Sequence, residues 1–390
     1  MLRETARSGV GAAIASPGKR YGVDGFVACP LVLWKQEANR LVIDFGGGEE
    51  IRFERRGKAG LVTLTRPKAL NAVSHRMVLA LTRALESWEA DETVDLVVVQ
   101  AEGRAFSAGG DIRRVHDAGF SAPESIAFFA DEYRLNARLA RFPKPYVSLI
   151  DGIVMGGGVG ISSHGSHRVM TEKALFAMPE VGIGFFPDIG GSFILSRLKG
   201  SYGMYLGLTG ARIRVGDCLR ARLATHCVPS ESLDAVQRAL CEEGTVERVL
   251  KRFHSEPAAE TDEGTLFAIA RLFSRQSLGD LMTELRRAAD GGEEIAISSL
   301  AAIEKASPTS VAVTFRELNT AAMLEFDDCM RMEFRIVNRM IARHDFFEGV
   351  RAAVVDKDGS PRWQPSTLAD VDDALVESYF AALPDGDLVL

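Results

Sequence analysis

Cysteine is scarce in this chain. Cys29, Cys218, Cys227, Cys241 and Cys329 are odd in number among 390 residues and form no C-x-x-C pair, so neither a disulfide framework nor a zinc knuckle is expected. A reducing compartment is the simpler expectation. Long apolar runs are missing too. The longest stretch free of formal charge, residues 152–167, has 16 residues but holds six glycines, three serines and two histidines, too short and too polar to span a bilayer. Positive charge is not in excess: 46 Lys and Arg stand against 53 Asp and Glu, a net charge of -7. Phosphate neutralisation needs a concentrated basic surface, so neither a nucleic acid nor a membrane is an expected partner. Three reaction kits also lack their anchors, because there is no G-x-S-x-G elbow, no G-x-x-x-x-G-K-[ST] loop and no G-x-G-x-x-G fingerprint.

What is present is the composition of a globular protein, 46% apolar and 25% charged, which excludes a disordered or collagen-like chain. Residues 1–48 stand apart as an N-terminal extension. Arg3, Arg7, Lys19 and Arg20 face only Glu4 in its first 22 residues. A mitochondrial transit segment has this pattern, and so has a solvated arm or an over-extended start on a cytoplasmic bacterial protein.

From Glu49 the patterning becomes globular. Residues 61–65 read as a buried strand ended by Pro67, and Met77, Leu81, Leu85 and Trp88 recur at helical spacing between about Ser74 and Glu89. Two further strands, residues 96–100 and 146–150, flank a helix around Phe128 to Leu139. Strands alternating with helices predict an α/β core over residues 49–230 with largely parallel pairing. After about Ser230 the periodicity is helical, which predicts a helical region over 231–390.

Two glycine clusters, Ser107-Ala-Gly-Gly-Asp111 and Met155-Gly-Gly-Gly-Val-Gly160, follow the second and third strands. Glycine lets a backbone turn tightly and present bare N–H groups to a ligand, and crevices in α/β sheets form at strand ends. Either cluster alone could equally serve close helix-to-strand packing; together they predict a site, with amides converging from separate loops. Downstream, Glu180 and Asp188 lie eight residues apart among Met178, Phe185 and Phe186. Poor solvation would raise their pKa and suit acid/base or nucleophilic work, while the plainer alternative is helix capping, with Asp188 capping a helix that begins near Ser192. His164 and His167 form an H-x-x-H pair with no third ligand in view, so a polar strand edge is expected there rather than a metal site.

Through Arg66-Pro-Lys-Ala-Leu-Asn-Ala72, Ser107-Ala-Gly-Gly-Asp111 and Met155-Gly-Gly-Gly158, the chain resembles the crotonase (enoyl-CoA hydratase/isomerase) superfamily. Within it the likeness is greatest to the 3-hydroxyisobutyryl-CoA hydrolase group of valine breakdown. It runs from about Glu49 to Phe380 and includes Ser307-Pro-Thr-Ser310, the segment His344 to Arg351 and the segment Asp356 to Pro361. The resemblance implies a spiral of repeated ββα units with a helical C-terminal region. It also implies an oxyanion hole from the amides of Ala108 and Gly157, and a CoA groove lined by Lys68, Ala69, Leu70, Gly109, Gly110 and Asp111. Glu180, Asp188 and Glu132 are the implied catalytic carboxylates.

Hydratases of the superfamily place a second glutamate where this chain has Gly160, so hydration should be minor at best. An isomerase needs only the match to Glu180; the hydrolase pattern also asks for Asp188 and for Glu132, which on its own would read as a solvated helix charge. The resemblance therefore implies thioester hydrolysis. Glu180 would attack the thioester carbon or activate water, Asp188 would accept the substrate's 3-hydroxyl hydrogen bond, and Glu132 would orient water or a neighbouring carboxylate. An enoyl-CoA isomerase, or a non-catalytic assembly protein, is the alternative. No metal or redox cofactor is implied; CoA is part of the substrate, and a homo-oligomer is compatible with the pattern.

Overall fold

The computed structural model describes residues 32–33 and 40–390; the expectations for the arm preceding them lie outside the described residues. Four antiparallel strands open the fold: β1 Val32–Leu33, β2 Arg40–Ile43, β3 Ile51–Arg56 and β4 Ala59–Leu64. The sheet thus starts at Val32, seventeen residues before Glu49, and Arg40–Ile43 pairs in register with Phe53–Arg56. Helix α1, His75–Ala90, follows, capped by Ser74, whose hydroxyl accepts the Met77 N–H at 3.2 Å. Its buried stripe, Met77, Leu81, Leu85 and Trp88, packs on β3, and Phe53 of that strand and Phe45 of the turn before it meet the Trp88 indole edge-on.

From there the chain repeats one unit. A strand of the large sheet is followed by a short strand of a second sheet and then by helix. β5 Leu96–Ala101 leads to β6 Ala105–Ser107, then to α2 Ile112–Ala118 and α3 Pro123–Ala140. β7 Tyr146–Ile150 leads to β8 Ile153–Met155 and to α4 Gly157–Ser163. β9 His167–Met170 leads to β10 Leu175–Ala177, a 3₁₀ turn Glu180–Ile183 and α5 Gly191–Ser196. The expected spiral of ββα units is therefore observed. In the large sheet β4, β5, β7 and β9 pair in parallel; in the small one β6 and β10 flank β8. Sequence reading placed the glycine clusters just past the strands at 96–100 and 146–150. They lie instead past β6 and β8, three-residue strands too short to leave a periodic signal.

Both faces of the large sheet are covered, which is why its strands read as continuous apolar runs. Leu61, Val98, Val147 and Val169 face the helices Leu233–Glu243 and Val246–Phe253, while Val62, Val99, Ile150 and Met170 face the main core. That core passes without a break from Phe186 and Leu195 into Val313, Met330 and Phe346 of the later helices. The helix Pro308–Ala321 packs on α5 and Phe326–Met340 packs on α3, so the helical region builds one wall of the catalytic layer.

Candidate active site

The ends of β6 and β8 lie side by side in the small sheet, so both glycine turns open into one space. The first turn is zipped onto the loop after β4: Ala108 N–H donates to Leu70 O at 3.0 Å, Val73 N–H to Gly109 O at 2.9 Å and Asp111 N–H to Val73 O at 2.8 Å. This corrects one expectation. The Ala108 amide points into the fold and is satisfied there, whereas Gly110 N–H has no acceptor among the described residues. Gly157 starts α4, where an amide has no intrahelical partner, and it too lacks an acceptor. A methyl group built on Gly157 would lie 2.9 Å from Gly110 N and 3.0 Å from Glu132 Oε1. The two free amides and that carboxylate therefore border the same space, and it exists because residue 157 has no side chain. Gly156, at φ +46°, makes the turn that aims the Gly157 amide inward.

A cavity of about 300 Å³ lies here, lined by both glycine turns, the rings of Phe129 and Phe185, and Glu132, Glu180 and Asp188. The three carboxylates expected from sequence are thus brought together. Glu180 opens the 3₁₀ turn after β10, and its Oε1 would sit 3.1 Å from a methyl on Gly156. It is 5% exposed, and its Oε2 is buried with no partner. Glu132, on α3, is 2% exposed with Oε1 likewise unpartnered. Burial pushes both carboxyls well above the usual range, and the Asp188 charge adds to the rise at each. Asp188 is raised to about 7 by burial, against the opposing hydrogen bond that Tyr133 Oη donates to its Oδ2 at 2.9 Å.

Asp188 does not cap α5 with its side chain. That role belongs to Glu333, 141 residues beyond Ser192, which accepts from Gly190 N–H at 2.8 Å, from Ser192 N–H at 3.1 Å and from the Ser192 hydroxyl. His164 is not a strand-edge residue but ends α4, and its Nε2 donates to Ile189 O at 2.6 Å. Ile189 sits at φ +56°, a strained value for a β-branched residue, directly after Asp188. Tyr133, His164 and Glu333 therefore hold the Asp188 turn from three sides. The Glu180 turn is braced from behind: Ser307 N–H donates to Val181 O at 3.1 Å and its hydroxyl to Asp345 Oδ2 at 2.6 Å, while Asp345 Oδ1 accepts from Gln364 N–H. Sequence reasoning gave none of these supports a role. Each acts across a separation that no local pattern reports, although Ser307 and Asp345 fall within segments the family resemblance had singled out.

The expected CoA-groove residues divide. Gly109 and Gly110 line the cavity. Lys68 and Ala69 are exposed on the 3₁₀ turn Pro67–Ala69 outside it, and Leu70 joins its rim through the Ala108 amide. The Asp111 carboxylate is held by Arg66 at 2.8 Å and by Arg114 at 3.4 Å, so it braces the turn instead of facing the cavity. A wider groove of about 970 Å³ lies between the helices Leu278–Asp290 and Pro308–Ala321, but Arg286 and Arg316 on its wall are paired with Glu304 and Glu377, and no acid/base group converges there. Among the described residues no cluster of three or more His, Cys, Asp or Glu is arranged to hold a metal.

A family profile described as enoyl-CoA hydratase/isomerase matches residues 59–380. The chain belongs to that family. Among its relatives is the mitochondrial 3-hydroxyisobutyryl-CoA hydrolase of Danio rerio, 41% identical over 88% of this chain and 92% of the relative. The Homo sapiens protein of the same name is 40% identical over 87% and 90%. Two solved structures share the fold at 38% identity. One, titled a carnitinyl-CoA dehydratase from Mycobacterium thermoresistibile, has a TM-score of 0.78 over 90% of this chain and 98% of its own. The other, titled an enoyl-CoA hydratase from Rhodobacter sphaeroides 2.4.1, has a TM-score of 0.79 over 87% and 100%. These names divide between hydrolysis and water addition or removal across a double bond, so the reaction must be argued from the site.

Proposed function

We propose that this protein hydrolyses the thioester of 3-hydroxyisobutyryl-CoA, and of similar short 3-hydroxyacyl-CoAs, to the free hydroxy acid and CoA. One observation carries the choice over hydration. At Gly160, where a hydratase of the superfamily places its second glutamate, this chain has no side chain, and Asn136 and Ile189 stand 3.1 Å from where a first side-chain carbon would be. The water-adding pair of carboxylates is therefore incomplete. The names of the relatives and the trio Glu132, Glu180 and Asp188 support the same reading.

In the reaction the thioester oxygen accepts from Gly110 and Gly157 N–H, which stabilises charge as the carbonyl carbon becomes tetrahedral; removing one such donor costs roughly 3 kcal/mol. Glu180 drives the attack, as nucleophile through a mixed anhydride or as base for a water molecule; the carbon–sulfur bond breaks and CoA leaves as the thiol, its proton supplied by water, which in the first route also opens the anhydride to the hydroxy acid and restores the Glu180 carboxylate. Asp188 accepts the 3-hydroxyl hydrogen bond, so an acyl group without that hydroxyl leaves a buried acceptor unmatched. Lys68, exposed on the 3₁₀ turn outside the cavity, suits a phosphate of CoA as a point charge. For location we favour a reducing compartment, the bacterial cytoplasm or, if residues 1–48 address an organelle, the mitochondrial matrix of the named relatives.

The test is a free-thiol assay over a panel of acyl-CoA esters. CoA release from 3-hydroxyisobutyryl-CoA is expected. No release from any short 3-hydroxyacyl-CoA overturns the proposal, and migration of a 3-enoyl double bond with the thioester intact would assign an isomerase instead.

A further inference from the structure

Asn136 lies fully buried on α3, one turn beyond Glu132, and neither its amide nitrogen nor its carbonyl oxygen has a protein partner. An unmatched buried amide is costly, on the order of 1–3 kcal/mol for each missing bond. Its surroundings leave it little choice of orientation. The side chain fills the space in front of Gly160, with both amide atoms 3.1 Å from where a side-chain carbon there would be, and Ile189 closes the far side. Glu132 on the same helix also has a deficit: its Oε1 is buried and unpartnered and lies beside the Gly110 and Gly157 amides. Residues four apart on a helix share one face, and the two side chains stand against Gly157 and Gly160 of the same short helix α4; a water bonded to both would satisfy a group on each.

We propose that Asn136 and Glu132 together form a buried water site, and that Asn136 is a positioning residue which keeps a water molecule beside the thioester carbon for the hydrolytic step. The Asn136 carbonyl accepts one proton of that water or its Nδ2 donates to the oxygen, and Glu132 takes the remaining bond. The water oxygen becomes part of the hydroxy acid carboxylate. One of its protons goes with the departing CoA thiol and the other leaves as the acid ionises. The side chain that stands where a hydratase would carry its second carboxylate thus supplies water to a different reaction. This rests on the hydrolase reading above and deepens it.

The experiment compares Asn136→Leu, which keeps the branched shape but has no polar side-chain atom, with Asn136→Ser, which keeps a hydroxyl and leaves room for a second water. Thiol release is followed together with thermal unfolding and a crystal structure of the wild type. Asn136→Leu should stay folded and lose about 10²-fold in kcat with KM within about 2-fold, the scale of a misplaced reactant. Asn136→Ser should retain most of kcat. An ordered water within hydrogen-bond distance of both Asn136 and Glu132 should be visible in the wild type. If Asn136→Leu does not fold, the Ser variant and that water decide. A folded Leu variant with kcat within about 3-fold of wild type, equal kcat losses in both folded variants, or no ordered water between the two side chains would overturn the proposal. A wild type that releases no thiol would instead remove the hydrolase reading, which is a different result.

Discussion

The two walls of the cavity are built by different means. The amide wall is backbone: two glycine turns at the ends of adjacent short strands, each held by hydrogen bonds within a few dozen residues. The carboxylate wall consists of side chains, Glu132 on α3 and Glu180 and Asp188 on two turns held by Tyr133, His164, Ser307, Glu333 and Asp345. Backbone donors at strand ends come with the fold. Buried acids need a dedicated scaffold, and in this protein the C-terminal helices supply much of it.

Breaking the carboxylate wall at its reacting atom should have the largest effect. Glu180→Ala is expected to abolish thiol release, by ~10³-fold or more, with thermal stability unchanged or raised because an unmatched buried acid is removed. Breaking the amide wall comes next. Gly157→Ala puts a methyl 2.9 Å from the Gly110 nitrogen and should cost ~10²- to 10³-fold in kcat/KM.

The comparison also shows what sequence can report. The amide wall was legible because glycine clusters after strands have a local signature, though only the structure shows that the Ala108 amide is bonded to Leu70 while that of Gly110 has no acceptor among the described residues. The three carboxylates were legible through family resemblance. Their supports were not, since the Glu333 cap on α5 joins positions 141 residues apart and Glu333 sits in a helix whose sequence shows only an apolar stripe. The helical region was foreseen as a segment, but its role as a wall of the site depends on packing that periodicity does not encode. The short strands β6 and β8 were missed because three residues cannot establish a period.

Smaller effects sharpen the distinction. Glu333→Ala leaves the Gly190 and Ser192 amides buried without acceptors and should destabilise by roughly 2–5 kcal/mol in urea unfolding. Asp188→Ala should harm 3-hydroxyacyl substrates ~10-fold or more beyond plain acyl ones; equal losses in kcat/KM would remove its part in hydroxyl recognition. Asp188 also predicts a pH effect. Its folded pKa of about 7 exceeds the unfolded value, so the native state binds more protons between roughly pH 4 and 7, and its contribution to stability falls as pH rises through that window. Asp188→Asn should flatten the decline, measurable as thermal midpoints across that range.

The central claim is that one thioester oxygen is held by Gly110 and Gly157 while Glu180 faces the carbonyl carbon. A crystal structure with a non-hydrolysable ketone analogue of 3-hydroxyisobutyryl-CoA tests it directly. The carbonyl oxygen should lie about 2.7–3.1 Å from both glycine nitrogens, with the Glu180 carboxylate on the face of the carbon. An oxygen bound elsewhere, or a Glu180 side chain turned away from the cavity, would contradict it.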